Sequence, residues 1–209
     1  MTKREGSAQR PIIIGLTGSI GMGKTTVATM FEECGVPVFD ADAAVHKLQG
    51  PEGLLIPEIE AAFPGTTSAD GVDRTRLGEI VFGNDQALAR LESIVHPAVA
   101  RMRQDFITEN RNATLLVFDI PLLFEKGGAT AVDYVVVVSA PSGVQRERVL
   151  ARPGMTAEKF DQILKRQVTD SEKRARANYI IGTGGSLEKT RRQVSQLVET
   201  ISQQREQKH

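Results

Sequence analysis

One octapeptide limits the folds open to this chain more than any other feature. Gly18-Ser19-Ile20-Gly21-Met22-Gly23-Lys24-Thr25 fits the spacing G-x-x-x-x-G-K-[ST] at every fixed position. Such a loop works between a strand that ends at it and a helix that starts from it. Both are legible. Pro11 to Leu16 is a β-branched run that reads as a buried strand, and Thr25 to Cys34 carries Val27, Met30 and Phe31 on one helical face, with Gly35 as its stop. The glycines let successive backbone N–H groups curl inward without Cβ clashes, which makes a nest for an anion. The helix beginning near Lys24 adds its positive end. Lys24 supplies a flexible point charge for β and γ phosphates, and the Thr25 hydroxyl is placed to bind magnesium. The competing reading, a glycine turn of purely structural use, does not explain the flanking strand and helix. The sequence has neither the D-x-x-G nor the N-K-x-D motif that switch-type GTPases carry, so small-molecule kinases are the main class left.

The rest of the chain alternates in the same way. Val36 to Phe39 is a second short strand running into Asp40-Ala41-Asp42, and Ala43 to Gln49 is helical. Residues 50–112 change character: Pro51, Pro57, Pro64 and Pro97 punctuate short helical patterns, and Thr66 to Asp73 is a polar loop. This segment reads as a mainly helical insertion without strands. Pro97 suits the first turn of a helix running to about Glu109, with His96 near its cap. Thr114 to Ile120 is again a strand. Val132 to Ser139, with four consecutive valines, fits a central parallel strand covered on both faces. Gly143 to Ala151 and Thr156 to Val168 are predicted helices around an Arg152-Pro153-Gly154 turn. Asn178 to Ile181 is a last strand before a Gly-rich turn and a long polar helix. The class is α/β with a parallel sheet. One domain is expected: a nucleotide-binding core over 11–49, 113–150 and 178–205, the helical region 50–112, and a lid region at 151–177.

Composition narrows the setting. A chain of 209 residues, 40% hydrophobic and 25% charged, can bury an ordinary core without disulfides or structural metal. Cys34 is the single cysteine, and Cys34, His46 and His96 lack partners at metal-ligand spacing. Lys plus Arg equals Asp plus Glu at 26 each, so no global basic field points to nucleic acid. The balance is uneven along the chain: residues 1–144 hold 12 basic and 18 acidic side chains, residues 145–209 hold 14 and 8. The last third either presents solvated helical faces or supplies cations to an anionic ligand. Met1 to Arg10 is polar and expected to fray, and no run approaches the ~20 apolar residues of a membrane span. A soluble cytoplasmic protein, a monomer or weak homo-oligomer, is the expectation.

Acids at strand ends are the candidates for chemistry, because ligands of open parallel sheets gather there. Asp40 and Asp42 follow the second strand; one orients an attacking hydroxyl or holds magnesium through water, and either can instead cap the next helix. Asp119 ends the third apolar strand as a magnesium-side acid or as a turn-forming aspartate before Pro121. Glu125 is the next candidate, with a surface position as the alternative. Arg146, Arg148, Arg152, Lys165, Arg166, Lys173, Arg174 and Arg176 crowd the last third. Arginine forks suit phosphoryl oxygens, and Arg152 sits at a turn that reads as a mobile lid excluding water.

The ordered set Gly18–Thr25, Asp40-Ala41-Asp42, His96-Pro97, Pro121-Leu122-Leu123-Phe124-Glu125, Arg152, Arg166-Gln167 and Lys173 resembles the dephospho-CoA kinase family over about residues 11 to 200. The resemblance implies a three-layer P-loop kinase fold with a five-stranded parallel sheet, a helical CoA-binding region at 50–112 and a lid. It implies transfer of the ATP γ-phosphoryl, with Mg2+, to the ribose 3′-hydroxyl of dephospho-CoA. By position, Asp42, Lys24 and Arg152 would be catalytic. Ser19, Ile20, Gly21, Met22, Gly23, Lys24, Thr25, Thr26 and Arg152 would meet ATP, with Thr25 on the metal. Asp42, His96, Arg103, Leu123 and Phe124 would meet the acceptor. The sequence departs from the family pattern at one point: the turn after the last strand, where the family usually has an asparagine near the adenine, is Gly182-Thr183-Gly184-Gly185. Backbone groups of such a turn can still read the base.

Overall fold

The computed structural model describes residues 10–125 and 127–207; of the fraying expected over Met1 to Arg10, residues 1–9 lie outside the described residues, and Arg10 is instead tied to Asp133 at 2.7 Å. Apolar runs form the strands and amphipathic segments form the helices. In chain order these are β1 (Ile12–Thr17), α1 (Lys24–Glu33), β2 (Val38–Asp40), α2 (Ala41–Gln49), α3 (Ile56–Ala62), β3 (Thr67–Ser68), β4 (Gly71–Val72), α4 (Arg74–Val81), α5 (Asp85–Glu109), β5 (Leu115–Asp119), a 3-10 turn at Gly128–Ala131, β6 (Tyr134–Ser139), α6 (Ser142–Leu150), α7 (Ala157–Lys165), α8 (Asp170–Ala175), β7 (Tyr179–Gly182) and α9 (Leu187–Glu206).

The chain forms two compact units, one holding the chain up to Phe39 and from Asn110 onward, the other running from Asp40 to Glu109. The first is built on a five-stranded parallel sheet of order β2-β5-β1-β6-β7. Register places Leu16 opposite Asp119, Thr17 opposite Val137, and Ser139 opposite Gly182. The carboxyl ends of β1, β5, β6 and β7 therefore finish along one edge. Successive side chains of a strand point to opposite faces, and β6 shows it. Val136 and Val138 join Ile14, Leu16, Val27, Phe31, Val194, Leu197 and Ile201 in one cluster, under α1 and α9. Val135 and Val137 join Leu123 and Phe124 in another. The valine run is apolar on both faces because the sheet is covered on both.

The second unit packs Leu48, Leu55, Ile59, Phe63 and Leu77 against an apolar stripe of α5. Two sequence expectations change here. The predicted loop at Thr66 to Asp73 contains a small antiparallel hairpin, Thr67 opposite Val72 and Ser68 opposite Gly71. Gly71, at φ +100°, supplies the left-handed residue the tight reversal needs. Pro97 does not start a helix: α5 runs through it, and His96 is a mid-helix residue rather than a cap neighbour. Leu91, Ile94 and Val95 before the proline and Ala98, Val99 and Met102 after it pack on the same cluster. Burial of that continuous stripe outweighs one missing backbone hydrogen bond.

A third change concerns residues 156–168. The predicted helix ends at Lys165, and Val168 gives its N–H to a Glu125 side-chain oxygen at 2.9 Å instead of to a helical carbonyl. Thr169 then opens α8 with a reciprocal capping box to Glu172.

Candidate active site

The loop after β1 is pinned before any ligand is considered. Gly21 and Gly23 take φ of +77° and +86°, left-handed values that favour glycine. A Cβ on Gly21 would lie 2.4 Å from Val149 Cγ2, so α6 also demands a bare backbone there. Neighbouring elements hold the loop from three directions. Gln145 of α6 donates to Ile20 O at 2.7 Å, and Ile20 N donates to Gln167 Oε1 at 3.1 Å. Thr183, in the turn after β7, donates from Oγ1 to Met22 O at 2.7 Å, while its own backbone N–H reaches Ser139 O at 2.9 Å. Arg148 of α6 closes this corner, donating to Thr183 O at 2.7 Å and Thr183 Oγ1 at 3.2 Å. The Gly-rich turn thus has a structural task of its own, tying β7 to the phosphate loop.

α1 leaves the loop with Gly23 as N-cap, no side-chain cap and no acid in its first turn. Its terminal N–H groups and positive dipole end remain available to an anion. Lys24 extends to the end of the neighbouring strand, where its Nζ forms a short ion pair with Asp119 Oδ1. Asp119 is almost fully buried, and Thr17 of β1 donates to Pro121 O just beyond it at 3.1 Å. The Asp119 side chain faces the phosphate loop, where Lys24 engages it.

The other loop residues fall out by depth. Thr25 and Thr26 are exposed at the helix start. Ser19 is buried and accepts from Met22 N at 3.1 Å. Met22 is buried, with its sulfur accepting from Ala140 N at 3.0 Å, so only its backbone is left to face a ligand. Leu123, 0% exposed, also lies inside the core, whereas Phe124 packs under the Arg176 guanidinium at 4.3 Å from the ring centre. Arg152 is exposed in the turn after α6, where its backbone N–H bonds Val149 O at 3.1 Å. Arg146 bridges α6 and α7, stacking over Phe160 and pairing with Asp161 at 3.5 Å.

Asp42, His96 and Arg103 belong to the second unit. Asp40 turns out to be the cap of α2, accepting from Ala43 N at 2.9 Å, which leaves Asp42 exposed in the first helical turn. His96 is exposed, 3.9 Å from Glu92, and Arg103 is half-buried. His46 meets Arg74 at 3.1 Å. Among the described residues no group of three or more His, Cys, Asp or Glu gathers at metal-binding distance. Magnesium does not need such a cage, because it keeps several waters and takes one or two protein oxygens beside substrate phosphates. A threonine hydroxyl and one carboxylate are a donor set that fits it.

Glu125 is not a surface glutamate. Its side chain is mostly buried and pairs at 2.9 Å with Lys173 Nζ, itself wholly buried. Burial pushes the Glu125 carboxyl up, but Lys173 and the donated N–H groups outweigh it and hold the group below its usual range. Gln145 was not legible in the sequence; Glu125, Gln167 and Lys173 stood there as members of the ordered set, and Thr183 as part of a Gly-rich turn, without these bonds.

Comparison with known proteins bears on the fold and the family. A family model described as dephospho-CoA kinase matches residues 12–189. A dephospho-CoA kinase of Novosphingobium aromaticivorans is 65% identical over 192 residues, covering 92% of this chain and 96% of that protein. Among solved structures, a Thermus thermophilus protein superposes with a TM-score of 0.81 at 34% identity, covering 92% of this chain and 98% of that one. A dephospho-CoA kinase from Campylobacter jejuni gives a TM-score of 0.62 at 25% identity, covering 91% and 97%.

Proposed function

The chain belongs to the dephospho-CoA kinase family, and we propose how its own residues carry out the reaction of that family, transfer of the ATP γ-phosphoryl to the ribose 3′-hydroxyl of dephospho-CoA with CoA and ADP as products. The single observation that supports this assignment of roles best is the Lys24–Asp119 pair at the mouth of a braced phosphate loop. The backbone N–H groups of the loop and the start of α1 hold the β-phosphate. Lys24 exchanges its partner Asp119 for phosphate oxygens, which keeps a cation beside the charge that builds up in a loose transition state. Magnesium, when bound, neutralises phosphate charge, and Thr25 is the residue we assign to it, with Asp119 acting through water.

Asp42 is assigned to the acceptor hydroxyl, whose proton it accepts or orients; Asp40 already does the capping, so Asp42 is free for this role. Arg152 is assigned to the lid over the transferring phosphoryl. His96, Arg103 and Phe124 are assigned to the acceptor, and Leu123 to it through the backbone. A cytoplasmic setting is part of this proposal. Among the described residues no helix is long and apolar enough to cross a membrane.

ADP release from ATP and magnesium is to be measured with a panel of acceptors: dephospho-CoA, AMP, a sugar and shikimate. Turnover with dephospho-CoA should exceed that with each other acceptor by orders of magnitude. Comparable rates across the panel would contradict the acceptor assignment.

A further inference from the structure

Lys173 is the most unusual side chain in the described structure. A lysine is almost never fully buried unless paired; this one is 0% exposed, and among the described residues its Nζ forms an ion pair with Glu125 Oε1 at 2.9 Å. The same Glu125 oxygen accepts from Val168 N at 2.9 Å. α8 is tied down a second time by Ser139 Oγ, which donates to Asp170 Oδ2 at 2.8 Å. The residue before Val168 is Gln167, whose side-chain oxygen holds the Ile20 N–H at 3.1 Å. Ile20 lies inside the phosphate loop. A continuous polar path therefore runs from a buried lysine, through a glutamate in the turn after β5, to the trailing edge of the lid and into the loop that receives ATP.

A buried ion pair is poor value as a source of stability, because desolvation offsets most of its attraction. Two apolar residues of similar size would fill the same space at less cost. What the apolar pair could not do is accept the Val168 N–H, stop the helix after Lys165 and present the next side chain toward the loop. We propose that Glu125 and Lys173 are positioning residues for ATP binding: they fix Gln167 so that its carboxamide, opposite Gln145, holds the Ile20 peptide in the conformation the phosphates require. Preorganisation of this kind raises affinity by removing the cost of ordering the loop when the ligand binds. The inference rests on ATP binding at this loop, which the affinity of the parent protein measures separately.

A double-mutant cycle on ATP affinity, with the whole chain and magnesium-ATP as the probe, tests it. Gln167→Leu removes the last link without touching the buried pair. Glu125→Leu with Lys173→Met removes the pair without leaving a buried charge alone, and thermal melting checks that the protein remains folded. Each change is expected to weaken ATP binding about five- to tenfold, the loss of one neutral hydrogen bond's net worth. All three substitutions together should be no worse than either alone, because both break one path. The Michaelis constant for dephospho-CoA should stay within about twofold in every variant. An unchanged ATP affinity in Gln167→Leu overturns the proposal whatever the pair does. Multiplying effects in the combined variant overturn it too, since they make the pair and the glutamine independent.

Discussion

Lys24 shows how far a single residue's chemistry can be followed. Its place in the octapeptide predicts a phosphate partner, and the structure sets the ammonium against Asp119. Lys24→Ala is expected to lower turnover by at least about 10²–10³, the scale seen when one transition-state donor is lost. It should also lower the melting temperature, because the ion pair with the mostly buried Asp119 is lost. Steady-state kinetics beside a thermal melt separates the two effects; full activity would remove the lysine from the reaction. Asp42 makes a different kind of claim. Asp42→Asn should reduce turnover while ATP affinity and melting temperature hold, since Asp40 caps α2 and the amide keeps size. Parental turnover would leave Asp42 without a chemical role. At this scale the sequence was legible where one residue type has one job, as at Gly21, Lys24 and Thr25. It was ambiguous where a carboxylate has two, as at Asp40, Asp42 and Asp119. It said nothing of Gln145 and gave Gln167 and Thr183 no bond to the phosphate loop, because such roles exist only once distant elements meet.

Among the elements, strands were the easiest to foresee. Runs such as Leu115–Asp119 and Tyr134–Ser139 are buried on both faces, and nothing but a central strand explains them. Helix limits were harder, because tertiary bonds set them. Glu125 draws off the Val168 N–H and so separates α7 from α8, and the packing of α5 carries it through Pro97. The capping box Thr169-x-x-Glu172 was written in the sequence and would have announced α8. Helices α6 and α7 are held to each other by Arg146, and Arg152, in the exposed turn between them, is the candidate for the phosphoryl group. Arg152→Ala is expected to cost about 3–4 kcal/mol of transition-state stabilisation, or roughly 10²–10³ in turnover, with little change in dephospho-CoA binding. Lysine should restore part of this, as it returns the charge without the planar fork. Single-turnover assays of the alanine and lysine variants read both effects, and parental rates in the alanine variant would assign Arg152 to plain basic surface.

For the whole molecule, the octapeptide and the alternating pattern already implied a parallel α/β sheet. The strand order and the register that sets Leu16 opposite Asp119 and Thr17 opposite Val137 needed the structure. The fold also carries a pH dependence. Glu125 is held below its ordinary value of 4.5 by Lys173 and by donated N–H groups, against the opposing effect of burial. A carboxylate lowered on folding contributes stability that is fully present above its unfolded value and is lost as pH falls through the folded value. Melting temperature should therefore drop below about pH 4.5 more steeply in the parent than in the Glu125→Leu, Lys173→Met protein, once Asp133, lowered beside Arg10 despite burial, is common to both. Identical acid limbs would count against the ion pair. The most direct test of the central claim is product analysis: the protein is incubated with γ-labelled ATP, magnesium and dephospho-CoA, and the labelled product is identified by mass and by the position of its new phosphate. The account predicts label on the ribose 3′-oxygen of CoA, formed in step with ADP and missing with Lys24→Ala. Label at another position, or ADP formed with label only in inorganic phosphate, would contradict it.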